Sequence, residues 1–136
     1  MLNYLKAFKA AYKAHKGQRD KGGKPYLLHP LYVALGVKGR DEKITALLHD
    51  VIEDSNITID ELDFLTAKQK EALLLMTHDK KEPYFDYIKG IKSNPIARAV
   101  KISDLKQNSN LKRLKKVTAK DIERREKYLK ALSMLR

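Results

Sequence analysis

Cysteine is absent from this 136-residue chain. Its absence excludes disulfides and thiolate metal sites, and it fits a reducing cytoplasm. Long apolar runs are missing too: none approaches the roughly 18 residues that span a bilayer. The opening residues, Met-Leu-Asn-Tyr-Leu-Lys-Ala-Phe-Lys, lack the continuous apolar core of a signal peptide. The expectation is therefore a cytoplasmic protein with no membrane contact. No stretch alternates as a strand would, and there is no internal repeat or low-complexity segment. At this length the chain is expected to be one domain, residues 1–136, with a core that needs no staples.

What the chain does have is positive charge. Lys plus Arg number 29 against 17 Asp plus Glu, a formal net charge of +12. Such an excess draws polyanions over long range. Nucleotide phosphates, nucleic acid and acidic membrane surfaces all qualify, and charge alone does not choose among them.

Periodicity and capping signals predict helices throughout. Leu2, Leu5, Phe8, Ala11 and Tyr12 recur at helical spacing over residues 2–16, with lysines opposite. Gly17 closes that helix, and 21–25 reads as a loop by its glycines and proline. His29-Pro30 opens a second helix that stops near Gly36 to Gly39. A central helix runs from about Asp41 to Asp54. Thr58 to Glu61 and Thr66 to Gln69 both match a capping box, predicting a short helix near 59–64 and a longer one near 67–77. Pro83 begins a helix through about Ile91, Asn94-Pro95 caps the next, and Thr118 caps the last, which runs to about Leu135. The fold class is all-α: a helical bundle of about seven or eight helices.

Chemistry concentrates in Ala46-Leu-Leu-His-Asp-Val-Ile-Glu-Asp54. At about 100° per residue, His49, Asp50, Glu53 and Asp54 share one arc of roughly 140°, opposite an apolar side. Three carboxylates and an imidazole so close repel one another unless a cation or proton relieves them. His29 stands before a proline at a helix start, and Asp104 lies one turn from Asn108. His29, His49, Asp50 and Asp104 make a two-His, two-carboxylate ligand set that suits Mn²⁺, Fe²⁺ or Zn²⁺. Glu53 and Asp54 would then serve as acid/base groups beside it. Spacing does not establish that the three helices involved meet.

The ordered segments His15-Lys-Gly-Gln18, Gly23-Lys-Pro-Tyr-Leu-Leu-His-Pro30, Ala46 to Asp54 and Val100-Lys-Ile-Ser-Asp104 with Asn108 resemble the HD superfamily of metal-dependent phosphohydrolases. Within it, they are most similar to the ppGpp hydrolase domain of RelA/SpoT-type proteins and to small stand-alone alarmone hydrolases. The resemblance implies a hydrolase module alone, with an HD-domain fold. It implies Mn²⁺ held by His29, His49, Asp50 and Asp104, and Glu53 and Asp54 as the catalytic pair. By the same resemblance Lys21 faces the substrate phosphates, Asn108 contacts the nucleotide, and Arg124 and Tyr128 reach the substrate from the last helix. The implied reaction is removal of the 3′-diphosphate of ppGpp, giving GDP and pyrophosphate.

Two positions depart from the pattern. Asp20 stands where alarmone hydrolases have an arginine that packs on guanine, with Arg19 adjacent, and Leu111 replaces a hydroxyl residue. Hydrolysis of another nucleotide, such as a nucleoside 5′-phosphate or the 2′-phosphate of NADPH, is the alternative. Non-catalytic readings are a nucleotide sensor and a nucleic-acid-binding face along Lys112–Lys116 and Lys120–Lys130. Interleaved Asp121, Glu123 and Glu126, and the lack of an aromatic platform, weigh against nucleic acid. His15 reads as a helix-end cation, His78 as a solvated surface residue, Lys101 as a snorkelling side chain, and Tyr84 and Tyr87 as packing residues.

Overall fold

The computed structural model describes residues 2–136, the side chain of Arg113 excepted. Helices dominate it, as the periodicity predicts: α1 (Leu2–His15), α2 (Leu28–Leu35), α3 (Arg40–Leu48), α4 (Val51–Asp54), α5 (Ala67–Met76), α6 (Tyr84–Lys92), α7 (Pro95–Asn108) and α8 (Ala119–Leu135). Two 3₁₀ turns, Ile59–Glu61 and Leu111–Arg113, complete the regular structure. The only pairing of strand type among the described residues is an isolated bridge between Arg19 and Pro25.

Local chemistry explains most boundaries. The Thr66 hydroxyl accepts the Gln69 N–H while the Gln69 side chain accepts the Thr66 N–H, the reciprocal box expected there. Asn94 accepts from Ala97 N–H ahead of Pro95. Thr118 forms a box with Asp121, a shorter carboxylate than the usual partner. Thr58 makes no side-chain cap, and its segment tightens only into a 3₁₀ turn.

Two expectations are corrected. The central helix is broken: α3 ends at Leu48, His49 and Asp50 form the joint, and α4 adds a single turn. The inner face of α1 is also shifted from the expected one: Ala11 is buried as expected, but the other members of the stripe are not. Leu2, Leu5 and Tyr12 are 63%, 48% and 50% exposed, while Ala7, Ala11 and Ala14 are buried. Small side chains let the α1 backbone approach α3 and α4 closely, so the alanine ridge packs and the larger residues stay outside.

The core falls into two apolar clusters. One gathers Val33, Met76, Tyr87, Ile88, Ile91, Val100, Leu105 and Leu135. The other gathers Ala7, Ala11, Ile44, Leu48, Val51, Leu62 and Leu73. Helices α2, α3 and α7 pack pairwise on one another, and α7 also lies against α5, α6 and α8. That three-helix junction carries the chemistry-bearing residues, one set from each helix.

Candidate metal centre and adjoining cavity

His29 projects from the first turn of α2, His49 and Asp50 from the α3–α4 joint, and Asp104 from the last part of α7. His29, His49 and Asp104 are all buried. The break after Leu48 turns the adjacent His49 and Asp50 side chains toward one centre. His49 Nε2 lies 3.1 Å from Asp50 Oδ2 and 3.3 Å from Asp104 Oδ1. His29 Nε2 lies 2.9 Å from Asp104 Oδ1 and 3.8 Å from Asp50 Oδ2.

The tautomer of His49 follows from its other nitrogen. Nδ1 is 2.6 Å from the Ala46 carbonyl, which only accepts, so Nδ1 carries a proton. Nε2 of the neutral ring is then a bare lone pair facing two carboxylate oxygens, and it has no hydrogen-bond partner. Three acceptors converging in a buried space need a cation or a proton. In the metal-free protein burial pushes the His49 pKa down, but Asp50 and Asp104 outweigh it and raise the pKa well above the usual value. One ligand atom from each of His29, His49 and Asp104 falls within 4.8 Å of the others, a group able to hold a metal ion. The donor set of nitrogen and oxygen suits a divalent cation.

Further side chains lock this centre, and Tyr26 among them carries no role in the sequence reading. Tyr26 O–H donates to Asp50 Oδ2 at 2.5 Å, with its ring between His15 and His29. Lys101, expected to snorkel, instead places a largely buried ammonium 2.9 Å from Asp104 Oδ2. Asn108 Nδ2 donates to Asp104 Oδ1 at 2.9 Å. Tyr26 was readable as part of a motif, but only the fold brings it to a residue 24 positions away. His15 is likewise no exposed helix-end cation. It is buried, bonded through Nδ1 to Gln18 Oε1 at 2.9 Å.

Glu53 and Asp54 sit at the rim. The Glu53 carboxylate accepts the backbone N–H of His78. His78 itself is half-buried and stacks on Tyr87 at 4.5 Å, so it is not a freely solvated histidine. Both rim carboxylates reach solvent, yet partial loss of hydration raises the pKa of each above its ordinary value. Asp50 adds to the rise in each case, and the His78 N–H limits it for Glu53.

A cavity of about 210 Å³ opens beside His29. Lys21, Asn108, Arg124 and Tyr128 all line it, with Arg19, Asp20, Leu111 and Asp121. Glu53 and Asp54 do not line it. Asp121 ties two of its cations together, 3.2 Å from Arg124 Nη1 and 3.7 Å from Lys21 Nζ. Asp20 turns inward on its own loop: Oδ1 accepts from Gly22 N–H at 2.9 Å and Lys24 N–H at 3.0 Å. Gly23 has φ of +84°, a conformation that closes this turn without a Cβ. Arg19 bonds the Gly23 carbonyl at 3.0 Å, so a guanidinium does border the cavity.

Fold and site together define an all-helical domain with a two-His, two-Asp cluster at a three-helix junction. A metazoan protein described as a SpoT orthologue that hydrolyses ppGpp shares this fold, with a TM-score of 0.81, 19% identity, and coverage of 99% of this chain and 85% of that one. A Synechocystis protein named a probable guanosine-3′,5′-bis(diphosphate) 3′-pyrophosphohydrolase is 41% identical over 73 residues, 51% of this chain and 10% of that one. A GTP pyrophosphokinase of Myxococcus xanthus is 51% identical over 68 residues, 47% of this chain and 9% of that one. The bifunctional (p)ppGpp synthase/hydrolase SpoT of Escherichia coli is 38% identical over 88 residues, 56% of this chain and 12% of that one. No family model matches the chain. Over about half of its length this chain is similar in sequence to proteins named for ppGpp hydrolysis and synthesis, and over nearly all of it the chain shares the fold of the metazoan protein. It spans about a tenth of the length of these curated relatives. Among the described residues no helix is long and apolar enough to cross a membrane.

Proposed function

We propose that this protein is a Mn²⁺-dependent phosphohydrolase that removes the 3′-diphosphate of (p)ppGpp, releasing GDP or GTP and pyrophosphate. The observation that carries the reading is His49 Nε2, buried without a partner between two carboxylates. Relatives named as guanosine-3′,5′-bis(diphosphate) 3′-pyrophosphohydrolases support the substrate. In this reading His29, His49, Asp50 and Asp104 hold the cation, and two imidazoles with two carboxylates suit Mn²⁺. A bound cation supplies Lewis acidity toward water and a phosphoryl oxygen.

The chain's own residues do the rest. The Ala46 carbonyl and the Tyr26 hydroxyl hold the His49 ring and the Asp50 carboxylate in orientation. Glu53 and Asp54, with raised pKa values, accept and return protons at their carboxylate oxygens. Lys21 and Arg124 neutralise charge on the substrate phosphates. Asn108 bridges the Asp104 carboxylate and the nucleotide, and Tyr128 reaches the substrate from α8.

One observation favours a second reading within the same chemistry. Asp20 is spent on its loop and supplies no planar cation for a guanine, although Arg19 borders the cavity. A nucleoside 5′-phosphate or NADPH is the competing substrate. The nucleic-acid reading is weakened because Asp121 draws Arg124 and Lys21 to the cavity wall. Product analysis with Mn²⁺-loaded protein against ppGpp, a nucleoside 5′-monophosphate and NADPH separates these readings. The expected result is GDP and pyrophosphate from ppGpp, abolished by Asp50→Ala. Orthophosphate from either other substrate, with ppGpp untouched, overturns the alarmone assignment and keeps the metal chemistry.

A further inference from the structure

Asp104 is held asymmetrically. Its Oδ1 faces the centre, 2.9 Å from His29 Nε2, 3.3 Å from His49 Nε2 and 2.9 Å from Asn108 Nδ2. Its Oδ2 faces the other way, into the Lys101 ammonium at 2.9 Å. Lys101 is itself boxed in. Its Nζ lies 5.3 Å from the centroid of the Tyr87 ring, and Tyr87 O–H is pinned to the Met76 carbonyl at 2.6 Å. Burying an ammonium is costly, and a buried pair commonly contributes little net stability. An i,i+3 pair that merely tightened α7 would lose nothing by lying at the surface. This one is largely inside, against the carboxylate that both histidines approach most closely in sum, at 2.9 and 3.3 Å.

We propose that Lys101 is a positioning residue that reserves Asp104 Oδ2, so that Asp104 offers a bound cation one oxygen rather than two. The inference rests on the metal reading above. Its consequence concerns the open positions on which a hydrolytic site depends. With Oδ2 engaged, Asp104 would take one coordination position of a bound cation and leave another for water or phosphate. The ammonium also offsets one of the two carboxylate charges, which keeps the loaded site receptive to a phosphorylated substrate. Without Lys101, Asp104 is free to chelate through both oxygens. The site would then hold its cation more tightly while working more slowly.

The test compares the wild-type protein with Lys101→Met and Lys101→Arg. Mn²⁺ affinity is read from the loss of the free-ion electron paramagnetic resonance signal, and access of water to bound Mn²⁺ from water-proton relaxation. The expected result for Lys101→Met is Mn²⁺ binding about 10-fold tighter, lower relaxivity per bound ion, and turnover down about 10- to 100-fold. Lys101→Arg keeps a cation on Oδ2 and should stay within about 2-fold of wild-type Mn²⁺ affinity, which also guards against a folding defect in the Met variant. Affinity unchanged or weakened in Lys101→Met, with only thermal stability lost, overturns the proposal in favour of a structural pair. Absence of Mn²⁺ uptake by the wild-type protein overturns the metal reading and this inference together. That outcome needs no variant, so the two failures are told apart.

Discussion

The buried centre and the cavity beside it are built on opposite principles. At the centre His29, His49 and Asp104 are buried, and short contacts to Tyr26, Ala46, Lys101 and Asn108 leave these groups and Asp50 little freedom. In the cavity wall the charged groups are longer, wetter and loosely tied. Lys21 is more than half exposed and meets Asp121 only at 3.7 Å. Arg124 is a third exposed. A dry site with fixed ligands determines the kind of reaction, because repositioning a buried charge is expensive. A solvated wall determines which molecule is held, and its side chains can move without disturbing the fold. Chemistry should therefore be brittle here and specificity malleable.

Four measurements sharpen or break that contrast. The largest effect is expected from Asp104→Ala, which removes the carboxylate shared by both histidines. Turnover should fall by at least about 10³-fold, roughly 4 kcal/mol in the barrier, with loss of Mn²⁺ uptake in a metal-binding titration. Substantial remaining activity would mean that the reaction occurs elsewhere.

Next is the pH dependence of metal stabilisation. His49 of the metal-free protein holds a proton because its pKa is raised, and a cation must displace that proton. Mn²⁺ at a hundredfold excess over Kd should stabilise the protein by about 2.7 kcal/mol. The gain in Tm should be larger at pH 8 than at pH 6. A gain independent of pH would separate the bound ion from His49.

A smaller effect is expected at the wall. Lys21→Ala should raise KM about 10-fold, about 1.4 kcal/mol of binding, and change kcat only a few-fold, as steady-state kinetics would show. An equal fall in kcat would move Lys21 from holding substrate to the chemical step. The smallest effect is expected from Asp20→Asn. Its Oδ1 still accepts the Gly22 and Lys24 N–H groups, so KM and Tm should change little. A marked change in substrate preference would show that the Asp20 charge reads the ligand.

Local signals were legible where they concerned neighbours in sequence. The box at Thr66 and the caps at Asn94 and Thr118 sit within three residues of their partners, and those helix starts follow from them, whereas the box expected at Thr58 does not form. The ligand residues stood out because imidazoles and carboxylates are poorly suited to apolar helix faces. The inner face of α1 was misread because periodicity identifies a stripe but not its neighbour. Ala7 and Ala14 join Ala11 inside while Leu5 and Phe8 stay outside, through close approach of backbones, a property of the pair of helices.

By itself, then, the sequence determined the all-helical character and most helix starts, the absence of thiol chemistry, the cationic balance and the set of groups able to hold a metal. Only the tertiary structure decided that His29 meets Asp104, 75 residues away, and that Tyr26 holds Asp50. It also decided that Lys101 is largely buried against Asp104 and that Asp121 gathers Lys21 and Arg124 at one wall. The physical reason is the same throughout. Backbone hydrogen bonds and caps act over three or four residues, so sequence spacing records them. The junction of α2, α3 and α7 forms by burying apolar area, which is not directional and fixes partners only when the whole chain packs.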